Sequence, residues 1–232
     1  MDKHRVVNHE DWIAARKDFL AKEKEFTRMR DELSRMRREM PWERVDTNYV
    51  FQAPEGKVTL ADLFAGKSQL VIYHFMFDPS WEAGCKSCSF WADNYNPIVV
   101  HLNHRDANLV AISRAPLAKL EAYRKRMGWN FKWVSSSGND FNHDYQVSST
   151  PAEVAKGESH YNYRGSKMTG ERPGISVFHK DADRNICHTY STYERGLDML
   201  NGAYHILDLL PKGRDEAGLD FTMAWLRRHD EY

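Results

Sequence analysis

The chain has 232 residues, 41% apolar and 28% charged, a globular balance that excludes a disordered polypeptide and suffices for a core without disulfide staples. Lysine plus arginine equals aspartate plus glutamate at 33 each, so no global field draws the chain to nucleic acid or anionic lipid. The opening MDKHRVVNHEDW has no apolar signal core, and the longest apolar run, Leu70 to Phe77, is too short to span a bilayer. The expected location is the cytoplasm, with no membrane partner. There, three cysteines are not a disulfide framework, and a close pair is catalytic or metal-binding.

Residues 9 to 40 are expected to form one helix, with Asn8 as its cap and no glycine or proline before Pro41. Trp12, Phe19, Phe26, Leu33 and Met40 recur every seven residues, and Met29 and Met36 follow Phe26 and Leu33 by three. This makes an apolar seam, interrupted at Lys22, on a helix otherwise rich in Lys, Arg and Glu. Two readings stand: packing on the chain's own domain, or burial against a second copy in a homodimer. The basic stretch Arg28 to Arg38 is interleaved with acids and reads as a solvated face.

The organisation expected is a helical extension (1–44), an α/β domain (45–212) and a C-terminal tail (213–232). A short strand at Tyr49–Phe51 leads to a turn at Pro54-Glu55-Gly56, and Thr59–Phe64 suits a helical turn ended by Gly66. Gln69 to Phe77, nearly continuous β-branched and aromatic sequence, fits a strand buried on both faces. After the loop Asp78–Gly84 comes a helix from Cys85 toward Tyr95, then a strand at Leu109–Ser113 and a helix at Leu117–Met127. Alternating strands and helices indicate an α/β class. Residues 130 to 172, rich in Ser, Asn, Asp and Gly, read as a long insertion holding one strand near Phe131–Val134. Ile175–Phe178 and Ile186–Tyr190 suit paired strands, and Leu197–Leu210 a last helix stopped by Pro211.

The chemistry is concentrated in Gly84-Cys85-Lys86-Ser87-Cys88. A cysteine at a helix start has its thiolate stabilised by free backbone N–H groups and the positive end of the dipole. The i, i+3 spacing puts both sulfurs on one helix face, within reach of a disulfide. Cys85 is then the exposed attacking thiol, Cys88 the buried resolving one, and Lys86 an added positive charge. A structural zinc site needs four ligands, and Cys187 and His188, adjacent on a strand, point to opposite faces. A c-type haem link needs His after the second Cys, where this chain has Ser89. No metal or resident cofactor is expected.

The segments KVTLADLFAGKSQLVIYHFMFDPSW, GCKSCSFWADN, AISRAPLAKLEAYRKRMGW, FKWVSSSGNDFN, PGISVF and HTYSTYERGLDMLNGAYHILDLLPKGR resemble the family called domain of unknown function 899. That family is described as predicted dithiol-disulfide oxidoreductases with a thioredoxin-like fold, and the resemblance covers almost the whole chain. It implies a thioredoxin-like α/β fold with a long N-terminal helix and an insertion before a proline-led strand. It also implies that Pro173 sits opposite the dithiol, with a cis bond after Arg172. Two features depart from the wider superfamily. Gly84 precedes Cys85, with Trp81 four residues upstream, where Trp-Cys-Gly-Pro-Cys is familiar. Asp78 and Glu82 stand where peroxiredoxins show Pro and Thr.

The leading expectation is therefore a thiol-disulfide oxidoreductase. Its substrate is a disulfide-containing protein or small molecule, the dithiol itself is re-reduced by an unidentified donor, and Pro173, Trp81 and Lys86 lie along the groove. The alternatives are a non-enzymatic thioredoxin-fold scaffold and a peroxide reductase using a Cys85 sulfenic acid. His74 and Asp78 are candidate proton-transfer groups, against readings as a core histidine and a turn residue. Cys187 reads as a small buried hydrophobe, and Asp140, His143 and Asp144 as an Asx-rich turn rather than a metal cluster. Phe131, Trp129 and Trp133 suit either a core edge or a groove wall.

Overall fold

The structure, a computed structural model, describes residues 4–232. The chain divides into two compact units, one ending at Pro41 and one running from Trp42 to Tyr232. In the first, helix α1 (His9–Glu39) starts where the Asn8 side chain accepts the Asp11 N–H at 2.9 Å. It stops at Met40, because a residue before proline avoids the helical region and Met40 takes ψ 143°. No residue of α1 is buried, and Phe19 and Phe26 are 61% and 62% exposed.

The second unit begins with strand β1 (Glu43–Arg44), the hairpin β2 (Val50–Ala53) and β3 (Gly56–Thr59), and the turn α2 (Leu60–Leu63). Thr59 and Asp62 close a capping box on α2. Next come β4 (Gln69–His74), α3 (Lys86–Tyr95), α4 (Val99–His104), β5 (Ala107–Ser113), α5 (Leu117–Arg126) and β6 (Lys132–Ser135). Short elements follow: α6 (Phe141–Asp144), β7 (Ser148–Ser149), α7 (Pro151–Lys156), β8 (His160–Tyr161), β9 (Arg164–Gly165) and β10 (Gly170–Glu171). The hairpin β11 (Gly174–Lys180) and β12 (Ile186–Tyr193), then α8 (Gly202–Leu207), complete the regular structure.

Eight strands form one sheet in the order β1-β12-β11-β4-β5-β6-β2-β3. β4 is parallel to β5 (Val71 opposite Leu109) and antiparallel to β11 (Val71 opposite Val177), and β5 is parallel to β6. A parallel pair flanked by an antiparallel hairpin, with the Cys-x-x-Cys helix directly after the central strand, is the expected thioredoxin-like arrangement. Side chains alternate across the sheet with period two. Tyr73, Ala111, Trp133 and Ile175 share one core with Cys88, Trp91, Leu120 and Tyr123 from α3 and α5. Leu70, Ile72, Ile112 and Val134 share another with Phe51, Leu63 and Phe141. Both faces of β4 are covered, which is why its sequence is an unbroken apolar run.

Three expectations change. The strand within the expected insertion is β6, which pairs with β5 in the main sheet, so the insertion starts only after Ser135. The expected helix Leu197–Leu210 is broken into a 3-10 segment, Glu194–Leu200, and α8. At the break, Asn201 takes extended backbone and its side chain caps the Tyr204 N–H at 3.1 Å. The bond between Arg172 and Pro173 is trans, since the described residues contain no cis peptide bond. The segment entering it is already extended, with Glu171 paired to Ser148 and the Arg172 N–H donating to the Val147 carbonyl at 2.8 Å. The trans form is also the lower-energy isomer by about 0.5–1 kcal/mol.

Candidate active site

α3 begins at Cys85, whose φ of −56° and ψ of 132° make it the cap residue, with no side-chain oxygen to occupy the first-turn N–H groups. The Cys85 sulfur makes no capping hydrogen bond in its stead, but several donors lie around it. The Cys88 thiol donates to it, the backbone N–H groups of Cys88 and Ser87 and the Ser87 hydroxyl add to this, and together they outweigh burial. The Cys85 thiol is thereby drawn down to about 6 from its ordinary value near 9. Burial pushes the Cys88 thiol the other way, well above the usual range, and the neighbouring Cys85 reinforces the rise. Cys88 is 1% exposed, whereas Cys85 is only partly buried. All three cysteines are free thiols.

The surroundings hold this pair in place. The Met76 N–H donates to the Cys88 sulfur at 3.4 Å, and the Tyr73 hydroxyl donates to the Cys88 carbonyl at 3.1 Å. The Ser89 hydroxyl donates to the Cys85 carbonyl at 2.9 Å and also meets the Tyr123 hydroxyl at 2.9 Å. Arg228, from the C-terminal segment, donates to that Tyr123 oxygen at 2.8 Å and to the Gly84 carbonyl at 2.9 Å. Position 84 must be glycine on steric grounds, because a Cβ there would lie 2.7 Å from the Phe75 ring and 2.8 Å from the Tyr123 ring.

A cavity of about 230 Å3 opens beside Cys88 and Ser87. Its walls come from Tyr73, Met76, Trp91, Pro173, Leu197 and Met223, and Glu194, Arg195 and Asp198 also line it. Pro173 is thus brought to the dithiol, its carbonyl held by the Tyr161 hydroxyl at 2.7 Å. Trp81 and Lys86 are not on the lining: Trp81 is half-buried against the core and Lys86 is exposed. His74 projects from the face of β4 opposite to Tyr73. Its Nε2 lies 2.8 Å from the Ser176 hydroxyl, and its ring stacks on Phe141 and Tyr145. Burial lowers its pKa to about 3, with His188 adding to the effect. It is a core histidine with no path to the sulfurs. Asp78 accepts from the Ser80 N–H and hydroxyl at 2.8 and 2.6 Å, a turn residue.

Cys187 faces Arg44 across the β1–β12 pair, far along the sheet from the dithiol. Asp144 accepts from the Tyr49 hydroxyl at 2.6 Å, and His143 lies 3.2 Å from Glu153. Trp129, Phe131 and Trp133 are all core residues, each no more than 3% exposed. The walls from Trp91, Leu197 and Met223, and the clamp from Arg228, carry no signal in the sequence pattern.

The sheet order and a dithiol at the start of the helix after its central strand define a thioredoxin-like α/β protein with a Cys-x-x-Cys site. More particularly, the chain belongs to the family described as "Bacterial protein of unknown function (DUF899)", which matches residues 1–232. No curated protein matches it. Among solved structures it is similar to the peroxidoxin BcpB from Mycobacterium tuberculosis (13% identity, TM-score 0.45, 68% of this chain and 92% of that one). It is also similar to a mutant PrxQ from Xylella fastidiosa (12%, 0.45, 71% and 95%). A putative protein disulfide isomerase from Bacteroides thetaiotaomicron is a further likeness (17%, 0.40, 75% and 92%).

Proposed function

We propose that the chain is a dithiol-disulfide oxidoreductase in which Cys85 attacks and Cys88 resolves. The observation that carries this is the geometry of two free cysteines one helical turn apart at the start of α3, Cys85 partly exposed and Cys88 buried beneath the Met76 N–H. Cys85 is drawn to about 6 by its hydrogen-bond donors, and Cys88 is kept protonated by burial. Near neutral pH this leaves one thiolate and one thiol in reserve. The Cys85 thiolate attacks a sulfur of the substrate disulfide, that S–S bond breaks, and one thiolate leaves and takes up a proton. Cys88, giving up its proton, attacks the Cys85 sulfur of the mixed disulfide, releases the second substrate thiol and closes the Cys85–Cys88 bond. The substrate disulfide is reduced by two electrons, and a separate thiol reductant, protein or small molecule, restores the dithiol. A reducing compartment such as the cytoplasm suits a pair that must return to the reduced state.

Turnover of bis(2-hydroxyethyl) disulfide with dithiothreitol as reductant tests the reading. The wild type should catalyse exchange and Cys85→Ser should not. Cys88→Ser should accumulate a mixed disulfide at Cys85, visible as an added mass on that peptide. Failure of the wild type to exchange any small disulfide refutes the proposal and favours a scaffold. Rapid loss of the Cys85 thiol to hydrogen peroxide without disulfide exchange would favour a peroxide reductase that passes through a sulfenic acid.

A further inference from the structure

We propose that the cavity beside Cys88 is the subsite for an uncharged apolar group carried on the substrate sulfur, and that Met223 sets its size. The inference rests on the dithiol reading above and names the substrate class that reading leaves open. At about 230 Å3 the space exceeds the roughly 150 Å3 that accommodates benzene in an apolar protein cavity. It holds a benzyl group or a short branched alkyl chain, but not a folded peptide segment. Its walls offer ring and thioether surface from Tyr73, Met76, Trp91, Leu197 and Met223, with the Tyr73 hydroxyl already committed to the Cys88 carbonyl.

The charged lining residues pair with one another or with neighbours. Arg195 pairs with Asp198 at 2.9 Å, Asp198 also takes Arg214 at 2.8 Å, and Glu194 pairs with Arg164 at 2.7 Å. The inner walls from Tyr73, Met76, Trp91, Leu197 and Met223 carry no charge to receive a carboxylate or an ammonium group, and the Arg195 side chain is mostly exposed to solvent. A multiply charged disulfide such as glutathione disulfide would lose hydration there without replacement.

The wall that closes the cavity comes from the C-terminal segment, and its placement is built rather than incidental. Met223 sits at φ +69°, a conformation uncommon for any residue but glycine. Such strain persists only where surrounding contacts enforce it, and it concentrates at functional sites. Here the Met223 N–H donates to Glu216 at 3.0 Å, and the same carboxylate oxygen takes the Trp225 indole at 2.7 Å and the Tyr204 hydroxyl at 2.9 Å. Trp225 packs edge-on against Phe90 of α3, and Leu226 is 1% exposed. The segment therefore holds the Met223 backbone in place, and its side chain lines the same cavity as Cys88.

Alkyl methanethiosulfonates test the idea, since they deliver different groups with one leaving group. The Cys85 thiolate takes the R–S group, forming Cys85–S–S–R, and methanesulfinate departs with the bonding pair. Second-order rates for methyl, benzyl and 2-sulfonatoethyl reagents are measured on the full chain and divided by the rates with free 2-mercaptoethanol. The normalised benzyl rate should exceed the 2-sulfonatoethyl rate by about 10-fold or more. Met223→Trp, which fills the cavity, should remove most of that preference. Met223→Ala, which opens it, should extend the preference to a naphthylmethyl group. A normalised ratio of one or below, or a preference unaffected by both variants, overturns the subsite. Failure of the dithiol reading looks different: Cys85 adducts form with their preferences but Cys88 never displaces them in the wild type.

Discussion

Replacing Cys88 by alanine removes the thiol that donates to the Cys85 sulfur, the largest contribution to the lowered acidity of Cys85. The backbone N–H groups of the first helical turn remain. A hydrogen bond to a charged group is worth about 1.5–3 kcal/mol and about 1.4 kcal/mol moves a pKa by one unit. The Cys85 midpoint should then climb by about one to two units, from about 6 to between about 7 and 8. At pH 6 the thiolate fraction falls from about one half to between about one tenth and one hundredth. A more basic thiolate is intrinsically the better nucleophile by about 3- to 10-fold over that range. The alkylation rate at pH 6 therefore drops by only about 2- to 8-fold, whereas the midpoint of the rate–pH curve moves in full. Cys88→Ser keeps a hydroxyl donor at the same place and should leave the midpoint near the wild-type value. Timed iodoacetamide labelling from pH 5 to 9, followed on the Cys85 peptide by mass, reads all three curves. A wild-type midpoint above about 8, or identical midpoints for wild type and Cys88→Ala, would refute the reasoning.

Three further outcomes follow from other parts of the structure. His74 is held neutral by burial, with its folded pKa near 3, so it favours the fold above its unfolded value of about 6.5. That contribution is lost as the pH falls from there toward 3. Between pH 7 and 5 the wild type should lose about 2 kcal/mol that His74→Gln does not lose. Equal losses in urea titrations of the two proteins would contradict this. Gly84→Ala places a methyl group 2.7–2.8 Å from the Phe75 and Tyr123 rings and should cost about 1–3 kcal/mol of stability, with an unchanged urea midpoint as the contrary result. Trp12, Phe19 and Phe26 are each more than half exposed on α1, an unfavourable row for a lone chain. We expect light scattering to report a dimer for the full chain and a monomer once residues 1–40 are removed, and a monomeric full chain would refute the twofold assembly.

Much of this protein is legible in the residue string because the deciding interactions are local. The capped helix ending before Pro41, the unbroken apolar run of β4, and the hairpin of β11 and β12 each follow from short-range periodicity and turn chemistry. The dithiol is legible for the same reason, since i, i+3 spacing at a helix start puts both sulfurs on one face whatever surrounds them. Strand parity also determines the place of His74: Tyr73 points toward Cys88, so its neighbour in an extended strand points away. Other features depend on which distant segments meet. Trp91, Pro173, Leu197 and Met223 line one cavity although Trp91 and Met223 lie on opposite sides of the insertion in sequence, and no local period records that convergence. The bond before Pro173 is trans where the resemblance implies cis, and no local pattern in the sequence distinguishes the two. The C-terminal segment reads as an unpatterned tail, yet its arginine, leucine and methionine engage partners that only folding brings near, Gly84 and Tyr123 among them. Hydrogen bonds and packing between remote segments are set by the topology of the sheet, and they alone decide what shape the dithiol presents to a substrate.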